Sequence, residues 1–253
     1  MYNYSVCIAS YNSASYIERT LERIMEIFSG KEFEIVVVDN FSNDGSMEYI
    51  RDRTSSLGDK VKILQEKSNR GEARQLAYKM STGKYIISNI DLDVLYSTQL
   101  KDALGEYHGR FEGKCLSVYG MMIIPAGLAK ELGGWRPLNR HEDNDLAIRA
   151  FGSGMHAQDM HLNVVERDLG RETKRHGISR IRETYFHYLD WFRLGMKYRN
   201  IGFREKINPI AMMAKTIAIA SRERGYPYID DFLKIWDGGG IYNENNPSKV
   251  EKQ

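Results

Sequence analysis

Residues 33–45 read FEIVVVDNFSNDG, and this stretch decides the fold class. Phe33–Val38 is an apolar and β-branched run, as expected for a strand that is buried on both faces of a parallel sheet. Asp39–Gly45 is rich in the residues that form loops and turns. The stretch therefore predicts a central strand whose carboxyl end opens into a polar loop.

Strand-like and helix-like patterns alternate on both sides of this stretch. The predicted strands are Tyr4–Ala9, Phe33–Val38, Val61–Leu64 and Tyr85–Ile90, and the predicted helices begin near Ile17, Ser46 and Ala73. Ser15 and Glu18 form a capping box at the first helix. The order βαβαβαβ predicts a parallel, doubly wound α/β sheet.

The composition is that of an ordinary globular protein. Of 253 residues, 42% are hydrophobic and 28% are charged, and a net charge of +2 is too small to predict nucleic acid as a partner. Cys7 and Cys115 lie in apolar runs without metal-ligand spacing, so we expect buried thiols of a reducing compartment. The N-terminus lacks the pattern of a secretory signal, and no apolar stretch reaches the roughly 18 residues that a membrane span needs. We therefore expect a cytoplasmic protein, with peripheral contact at the membrane face left open.

Polar side chains follow three of the predicted strands at their carboxyl ends, where open α/β sheets bind their ligands. Ser10, Tyr11 and Asn12 follow the first strand, Asp39 follows the second, and Asp91 and Asp93 follow the fourth. An aromatic ring, a carboxylate and a carboxylate pair on adjacent loops suit a base, its hydrogen-bonding edge and a metal ion. The sequence therefore predicts a nucleotide site.

Asp91 and Asp93 are the strongest candidates for metal ligands. Residues two apart on an extended chain point the same way, which leaves Leu92 to face the core. Carboxylate oxygens suit Mg²⁺ or Mn²⁺, and such an ion keeps one or two protein carboxylates while substrate phosphates complete its shell. The alternative is that both aspartates cap the next helix.

The other nucleotide-site candidates also have structural alternatives. Gly71 and Arg74 lie in the first turns of the third helix, where backbone N–H groups and the guanidinium could meet phosphate oxygens. Arg74 could instead belong to a solvated helical face. Asp39 could accept a hydrogen bond from a base or form an Asx turn, and Tyr11 could stack on the base or pack in the core.

Five short segments together resemble glycosyltransferase family 2, whose members have the GT-A fold. They are SVCIASYN (5–12), VVVDNFSNDGS (36–46), NRGEARQ (69–75), GKYIISNIDLD (83–93) and EDNDLAIR (142–149), in the family's order. The resemblance implies an α/β, Rossmann-like GT-A domain at residues 1–175, with a nucleotide-binding half at 1–95 and an acceptor half at 96–175. A helical extension at 176–240 and a polar tail at 241–253 would follow.

The resemblance also implies roles for individual residues at the donor site. Ser10, Tyr11, Asn12, Asp39, Gly71, Arg74 and Asp91 would bind the nucleotide. Among them, Tyr11 and Asp39 would contact the base, Arg74 would lie near the phosphates and Asp91 near the ribose. Asp93, together with Asp91, would hold Mn²⁺ or Mg²⁺, and His176 is a further metal candidate. Asn40 stands where the family has a second aspartate, so a UDP-linked and a GDP-linked donor both stay open.

The family's catalytic base corresponds to Glu142 or, preferably, Asp143. A carboxylate is needed there because the acceptor hydroxyl must lose its proton as it attacks the anomeric carbon. The helix N-terminus would help to keep Asp143 ionised, although Glu142 and Asp143 could also be ordinary first-turn acids. Trp135 would line the acceptor pocket by the same resemblance, with core packing as its alternative.

The resemblance implies an inverting enzyme that moves one sugar from a nucleoside-diphosphate sugar to a hydroxyl of a glycan or lipid-linked glycan. A sugar nucleotidyltransferase is an alternative, but it needs a glycine-rich loop after the first strand, and residues 10–15 contain no glycine. A dinucleotide-dependent oxidoreductase is also disfavoured, because it needs the motif G-x-G-x-x-G at the same turn and this sequence does not have it. A non-catalytic protein that binds nucleotide sugars also stays open.

The C-terminal region interleaves aromatic and basic residues at helical spacing. One face carries Tyr185, Tyr188, Leu189, Phe192 and Met196, and a second apolar segment surrounds Ile210–Ile217. Such helices either pack on the catalytic domain, form a homodimer contact, or lie in a membrane interface. Lys215 interrupts the second segment, which is too short to span a bilayer.

Overall fold

The computed structural model describes residues 3–14, 17–168, 178–197, 208–220, 225–237 and 241–243. Ser15 of the predicted capping box and His176, the further metal candidate, lie outside the described residues.

The described residues form ten strands and nine α-helices. The first seven of these elements follow the predicted order βαβαβαβ. The strands are β1 Tyr4–Ser10, β2 Phe33–Asp39, β3 Val61–Gln65, β4 Tyr85–Asp91, β5 Val94–Tyr96, β6 Cys115–Tyr119, β7 Met121–Pro125, β8 His156–Asn163, β9 Val165–Asp168 and β10 Ile241–Asn243. The helices are α1 Ile17–Phe28, α2 Ser46–Thr54, α3 Arg70–Met80, α4 Gln99–Glu106, α5 Ala126–Glu131, α6 Glu142–Gly152, α7 Ile178–Leu194, α8 Pro209–Ala220 and α9 Ile229–Asp237.

Eight strands form one mixed sheet in the order β10-β8-β6-β7-β4-β1-β2-β3. Strands β1 to β4 are parallel, which confirms the predicted α/β fold class. Strand β7 runs antiparallel to both β4 and β6. Only Gly120, at φ 90°, separates β6 from β7, and so short a connection can join only antiparallel strands. A small second sheet pairs β5 with β9.

Strand β2 is buried on both sides, as its sequence predicts. Ile35 and Val37 belong to the core between the sheet and helices α1, α2 and α4. Val36 and Val38 belong to the opposite core, which the sheet shares with α3, α5 and α6. The alternation of successive side chains between two apolar layers fixes this strand in the middle of the domain.

The C-terminal region corrects one prediction and refines another. The prediction of a polar tail at 241–253 is wrong at its start, because Ile241–Asn243 pair antiparallel with β8 as an edge strand. Trp191 and Leu194 of α7, and Phe232 of α9, join the same core as Leu146 of α6. Helices α7 and α9 are thus packed on the α/β domain. Among the described residues, every helix is too short or too polar to cross a bilayer.

Gly71 lets the loop at residues 136–138 lie directly on the N-terminus of α3. Its amide donates to the carbonyl of Leu138 at 3.0 Å. A Cβ atom at this position would overlap the carbonyl oxygen of Arg136 and lie 2.8 Å from the backbone nitrogen of Leu138. The close approach therefore requires glycine.

We expect Gly71→Ala to lower the free energy of unfolding by about 1–3 kcal/mol, because backbone atoms must move apart. Gly105→Ala is the matched control, since a Cβ at this exposed site in α4 meets nothing within 4 Å. The control should gain about 0.5–1 kcal/mol from helix propensity. Urea unfolding of both variants makes the comparison, and equal stability of the two would contradict the packing argument.

Candidate functional site

The carboxyl ends of β1, β2 and β4 meet at one edge of the sheet. Ser10 is in register with Asp39, and Ala9 with Asp91. The loops that leave these strands border a cavity of about 640 Å³. Its wall includes Ser10, Tyr11, Asn40, Asp91 and Asp93, so most of the residues that the sequence singles out at strand ends do face one space.

Two residues of β1 and its loop present ligand-ready groups to the cavity. The Tyr11 side chain is 61% exposed, so its alternative of core packing is wrong. The Ser10 hydroxyl is buried and makes no hydrogen bond within the described part of the chain. A buried polar atom without a partner is costly, and a ligand in the cavity could satisfy it.

Asn12 and Asp39 are engaged in holding the loops themselves. Asn12 Oδ1 accepts from the amide of Asn43 at 3.0 Å, which ties the loop after β1 to the loop after β2. The buried Asp39 carboxylate accepts from the amide of Ser42 at 2.8 Å and from its hydroxyl. The Asp39 carboxylate is thus engaged within its own loop, as the turn alternative predicts, although its backbone partner is three residues on instead of two. Neither residue lines the cavity. Their predicted contacts with the nucleotide stay predictions.

A bulge in β4 aims Asp91 and Asp93 at the cavity. Asn89 has φ 66°, and the pairing of β4 with β1 shifts register beside it. The buried Tyr96 hydroxyl accepts from the amide of Asp91 at 2.9 Å and donates to the carbonyl of Asn89 at 3.2 Å. Leu92 is buried, as predicted, while both aspartates border the cavity.

The two aspartates suit a divalent cation that is held mainly by its substrate. In the described residues, no group of three or more His, Cys, Asp or Glu side chains could enclose a metal ion. Mg²⁺ and Mn²⁺ do not need one, since one or two carboxylates and the phosphates of a nucleotide complete their shell. The donor set therefore fits such an ion with phosphate present, and it does not form a closed all-protein site.

Arg74 is buried at the centre of three carboxylates, so the interpretation of a solvated helical face is wrong. Its Nε lies 2.9 Å from Glu142 and 3.4 Å from Asp143, and its Nη2 lies 3.1 Å from Asp91. Its third nitrogen, Nη1, makes no hydrogen bond within the described residues. The neighbouring carboxylates raise the pKa of the guanidinium against the opposing effect of burial. We name Arg74, Asp91, Glu142 and Asp143 the buried charge cluster.

Asp143 is the more accessible member of the predicted pair of bases. Its side chain is 18% exposed, whereas that of Glu142 is 2% exposed and ion-paired to Arg74. The indole N–H of Trp135 donates to Asp143 Oδ1 at 3.2 Å. Burial, and then the charges of Glu142 and Asp91, raise the pKa of Asp143 well above its usual range, while Arg74 and Trp135 oppose this. The direction of this shift is opposite to the one that a helix N-terminus alone would give.

Trp135 is a core residue that orients Asp143. It packs against Tyr78 with ring centroids 5.7 Å apart, as its packing alternative predicts. It does not line the main cavity, but it borders a neighbouring cavity of about 360 Å³ together with Gln75 and Pro137. Its predicted contact with an acceptor stays a prediction.

Sequence reasoning missed three cationic residues of the cavity wall. Lys67, Arg70 and Arg182 line it, and Arg182 comes from helix α7, far along the chain. Arg70 lies within the motif that drew attention to Arg74, so the helical register could have suggested it. No local pattern distinguishes Arg182 from the other basic residues of α7.

Helix α7 also holds the segment that leads into α6. The Asp190 carboxylate accepts from the amides of Asn139 and Arg140, at 3.0 and 2.8 Å. His187 lies 2.9 Å from His141, whose φ is 58°. Trp191 packs against the same imidazole, with ring centroids 4.3 Å apart and the planes tilted by 38°. Burial lowers the pKa of His141 to about 2, so this ring is neutral near pH 7. Helix α6 therefore begins at a position that α7 fixes.

Backbone strain concentrates around the cavity. In the described residues, the non-glycine positions with positive φ are Asn12, Phe41, Asn89 and His141. They lie after β1, after β2, in the bulge of β4 and directly before α6. Conformations of this kind persist where the surrounding structure imposes them, and they cluster at functional sites.

Part of the chain matches a known protein family. Residues 5–119 match the family described as Glycosyl transferase family 2. These residues form a glycosyl transferase family 2 domain. The match ends before α6, so it includes Asp91 and Asp93 but not Glu142 or Asp143, the predicted bases.

A curated relative of this family 2 domain is the poly(ribitol-phosphate) beta-N-acetylglucosaminyltransferase TarS of Staphylococcus aureus strain Mu50. It is 32% identical over 113 residues, which cover 43% of this chain and 20% of TarS. The chain thus matches only a fifth of the length of that protein.

Two solved structures illustrate the fold. A mannosyltransferase from Pyrobaculum calidifontis, in complex with GDP-Man and Mn²⁺, is 19% identical, with a TM-score of 0.54 over 92% of this chain and 79% of its own. Glucosyl-3-phosphoglycerate synthase from Mycobacterium tuberculosis, with Mn²⁺, UDP and phosphoglyceric acid, is 16% identical, with a TM-score of 0.58 over 78% of this chain and 80% of its own. The family 2 domain has the GT-A fold.

A double-mutant cycle on Arg74 and Glu142 tests the buried charge cluster. We expect Arg74→Met to lower the free energy of unfolding by about 3 kcal/mol or more, because buried carboxylates lose their counter-charge. Addition of Glu142→Gln should recover part of the loss, with a coupling energy of about 1–3 kcal/mol from urea unfolding.

The exposed pair Arg53 and Glu18 is the matched control, with side chains 38% and 45% exposed. The cycle of Arg53→Met and Glu18→Gln should give a coupling energy below about 1 kcal/mol. A coupling energy for the Arg74 pair as small as that of the control would show that this ion pair does not stabilise the contact between α3 and α6.

Proposed function

We propose that this protein is a metal-dependent, inverting glycosyltransferase that moves one sugar from a nucleoside-diphosphate sugar to an acceptor hydroxyl. One observation carries the proposal: Arg74 joins Asp91, at the cavity, to Asp143, at the N-terminus of α6. A group that holds the donor and a group that can take a proton are thereby kept side by side. The acceptor that we propose is a glycan or a lipid-linked glycan.

The donor would occupy the main cavity. Tyr11 supplies an exposed ring for the base, and the unpartnered Ser10 hydroxyl supplies a polar contact. Lys67, Arg70 and Arg182 provide positive charge for the diphosphate. The complexes of the two solved relatives with UDP or GDP-Man support a uridine or guanosine nucleotide and leave the base open between them.

The metal would be held by Asp93 and Asp91, and it would neutralise the charge that develops on the leaving diphosphate. Both carboxylates border the cavity, where the phosphates of the donor can complete the metal's shell. Asp91 is also the partner of Arg74 Nη2. Arg74 would thereby hold this carboxylate in position for the metal.

Asp143 would accept the proton of the acceptor hydroxyl as that hydroxyl attacks the anomeric carbon. A raised pKa favours this role, since a base works best when its pKa approaches the working pH. Glu142 is almost fully buried against Arg74, so it would position the guanidinium. The indole of Trp135 would hold the orientation of the base.

A non-catalytic nucleotide-sugar-binding protein would use the same cavity but would need no base. A sugar nucleotidyltransferase would need a phosphate-binding glycine loop after β1, and the residues there are serine, tyrosine and asparagine. The first alternative predicts binding of UDP or GDP without turnover. Donor hydrolysis in the presence of Mn²⁺ therefore separates it from an enzyme.

Asp93→Asn should abolish the metal-dependent reaction. We expect hydrolysis of UDP- or GDP-sugars to fall at least about a hundredfold, since several kcal/mol of charge stabilisation are lost. The rise in melting temperature that Mn²⁺ and the nucleoside diphosphate give to the natural sequence should vanish as well. Asp102→Asn, an exposed change of the same chemistry in α4, is the control and should keep both. Full turnover in the Asp93 variant would remove this residue from the mechanism.

The pH dependence of turnover should report Asp143. Because its pKa is raised, the rate should fall as the pH drops through that raised value, and Asp143→Asn should lose transfer at every pH. Trp135→Phe removes a hydrogen bond that lowers the pKa, so the acidic limb should move to higher pH. Tyr78→Phe alters a ring that packs on Trp135 and should leave the limb in place. A limb that stays unmoved in both variants would rule out the orienting role of Trp135.

A further inference from the structure

Helix α8 has an apolar outer face that the rest of the protein leaves exposed. Met212, Met213, Ile217 and Ile219 are 55%, 51%, 40% and 67% exposed. These four residues, which we name the α8 outer face, lie within one helix of twelve residues. Large exposed apolar side chains that are grouped in this way mark a surface that binds a membrane or another protein.

Helix α8 also has an apolar inner side, so its exposed apolar residues are not the result of a reversed orientation. Its inner side consists of Ala211, Ala214 and Ala218, which are buried against Tyr188 and Leu189 of α7. The helix is therefore apolar on both sides, and Lys215 is its only charged residue. A helix that is apolar all round is unusual on a water-exposed surface.

The surrounding segment carries a strong positive charge. Residues 178–220 contain eight lysines and arginines but only three acidic residues, a net charge of +5. The whole chain has +2, so the remainder carries a net charge of −3. Positive charge is thus concentrated in the segment that contains α7 and α8. Two copies of so basic a segment would repel one another, whereas an anionic partner would attract it.

We propose that the α8 outer face inserts into the interface of an anionic lipid membrane, to which the net positive charge of residues 178–220 attracts it. Apolar side chains would enter the boundary between headgroups and acyl chains, and the charge would add a salt-dependent attraction. This contact is independent of the proposed transfer reaction. It would make the protein peripheral, because α8 is too short to span a bilayer.

Vesicle sedimentation of the full chain tests the proposal. Vesicles of phosphatidylcholine with phosphatidylglycerol should bind the protein at low salt, vesicles of phosphatidylcholine alone should bind it more weakly, and high salt should release it. Met212→Glu combined with Ile219→Glu changes two residues one heptad apart on the outer face. This double variant should bind the anionic vesicles about tenfold or more weakly.

Tyr49→Glu combined with Gln99→Glu is the charge-matched control, since it adds the same two negative charges at exposed positions of α2 and α4, one of them a tyrosine that is 41% exposed. The control should bind like the natural sequence. The melting temperature and Mn²⁺-dependent donor hydrolysis, both measured without vesicles, report whether each variant is folded. If the natural sequence is folded and binds vesicles but hydrolyses no donor, the proposed function is contradicted and the membrane proposal is not.

Three results would overturn the membrane proposal. The first is no sedimentation of the natural sequence with anionic vesicles at low salt. The second is equal binding by the double variant and the natural sequence. The third is a dimer in gel filtration that the double variant converts to a monomer, because a second copy would then be the partner of the α8 outer face.

Discussion

The buried ion pairs of Arg74 are the interaction on which the rest of the site depends. A guanidinium and three carboxylates are costly to remove from water, and they are tolerated only while each charge has its partners. Arg74 belongs to α3, Asp91 to β4, and Glu142 and Asp143 to α6. The first two elements lie within the family 2 domain, and α6 lies beyond it. One cation therefore sets the spacing between Asp91, which borders the cavity, and the two carboxylates at the N-terminus of α6.

The sequence predicts the fold best where burial is symmetrical. Strand β2 has an apolar residue at nearly every position because both faces of the sheet are covered, and this pattern identifies a central parallel strand. It fails where a strand is defined by its neighbour. Ile241–Asn243 is too short to show a period, and it is a strand because the edge of β8 offers unpaired backbone groups.

The residues of the candidate site also differ in how far the sequence predicts them. Asp91 and Asp93 could be predicted, because side chains at the carboxyl ends of parallel strands face the crevice and their spacing fixes a common direction. Arg182 could not, since its place in the cavity wall depends on how α7 packs. For Asp39 the sequence offered a base contact and a turn, and its carboxylate accepts from Ser42 within the loop. Local hydrogen bonds of short polar side chains compete with ligand contacts and cannot be separated from them by sequence alone.

Helix α7 makes the C-terminal region part of the site. Its Asp190 and His187 fix the turn before α6, its Arg182 reaches the cavity, and its Tyr188 and Leu189 receive α8. The strained backbone at His141 needs such support, because a left-handed conformation at a non-glycine residue persists only when its surroundings impose it. Any movement of α7 would therefore shift the start of α6 and with it Asp143. Helix α8 packs on the same helix that holds residues 139 and 140, so the C-terminal helices and the start of α6 form one packed unit.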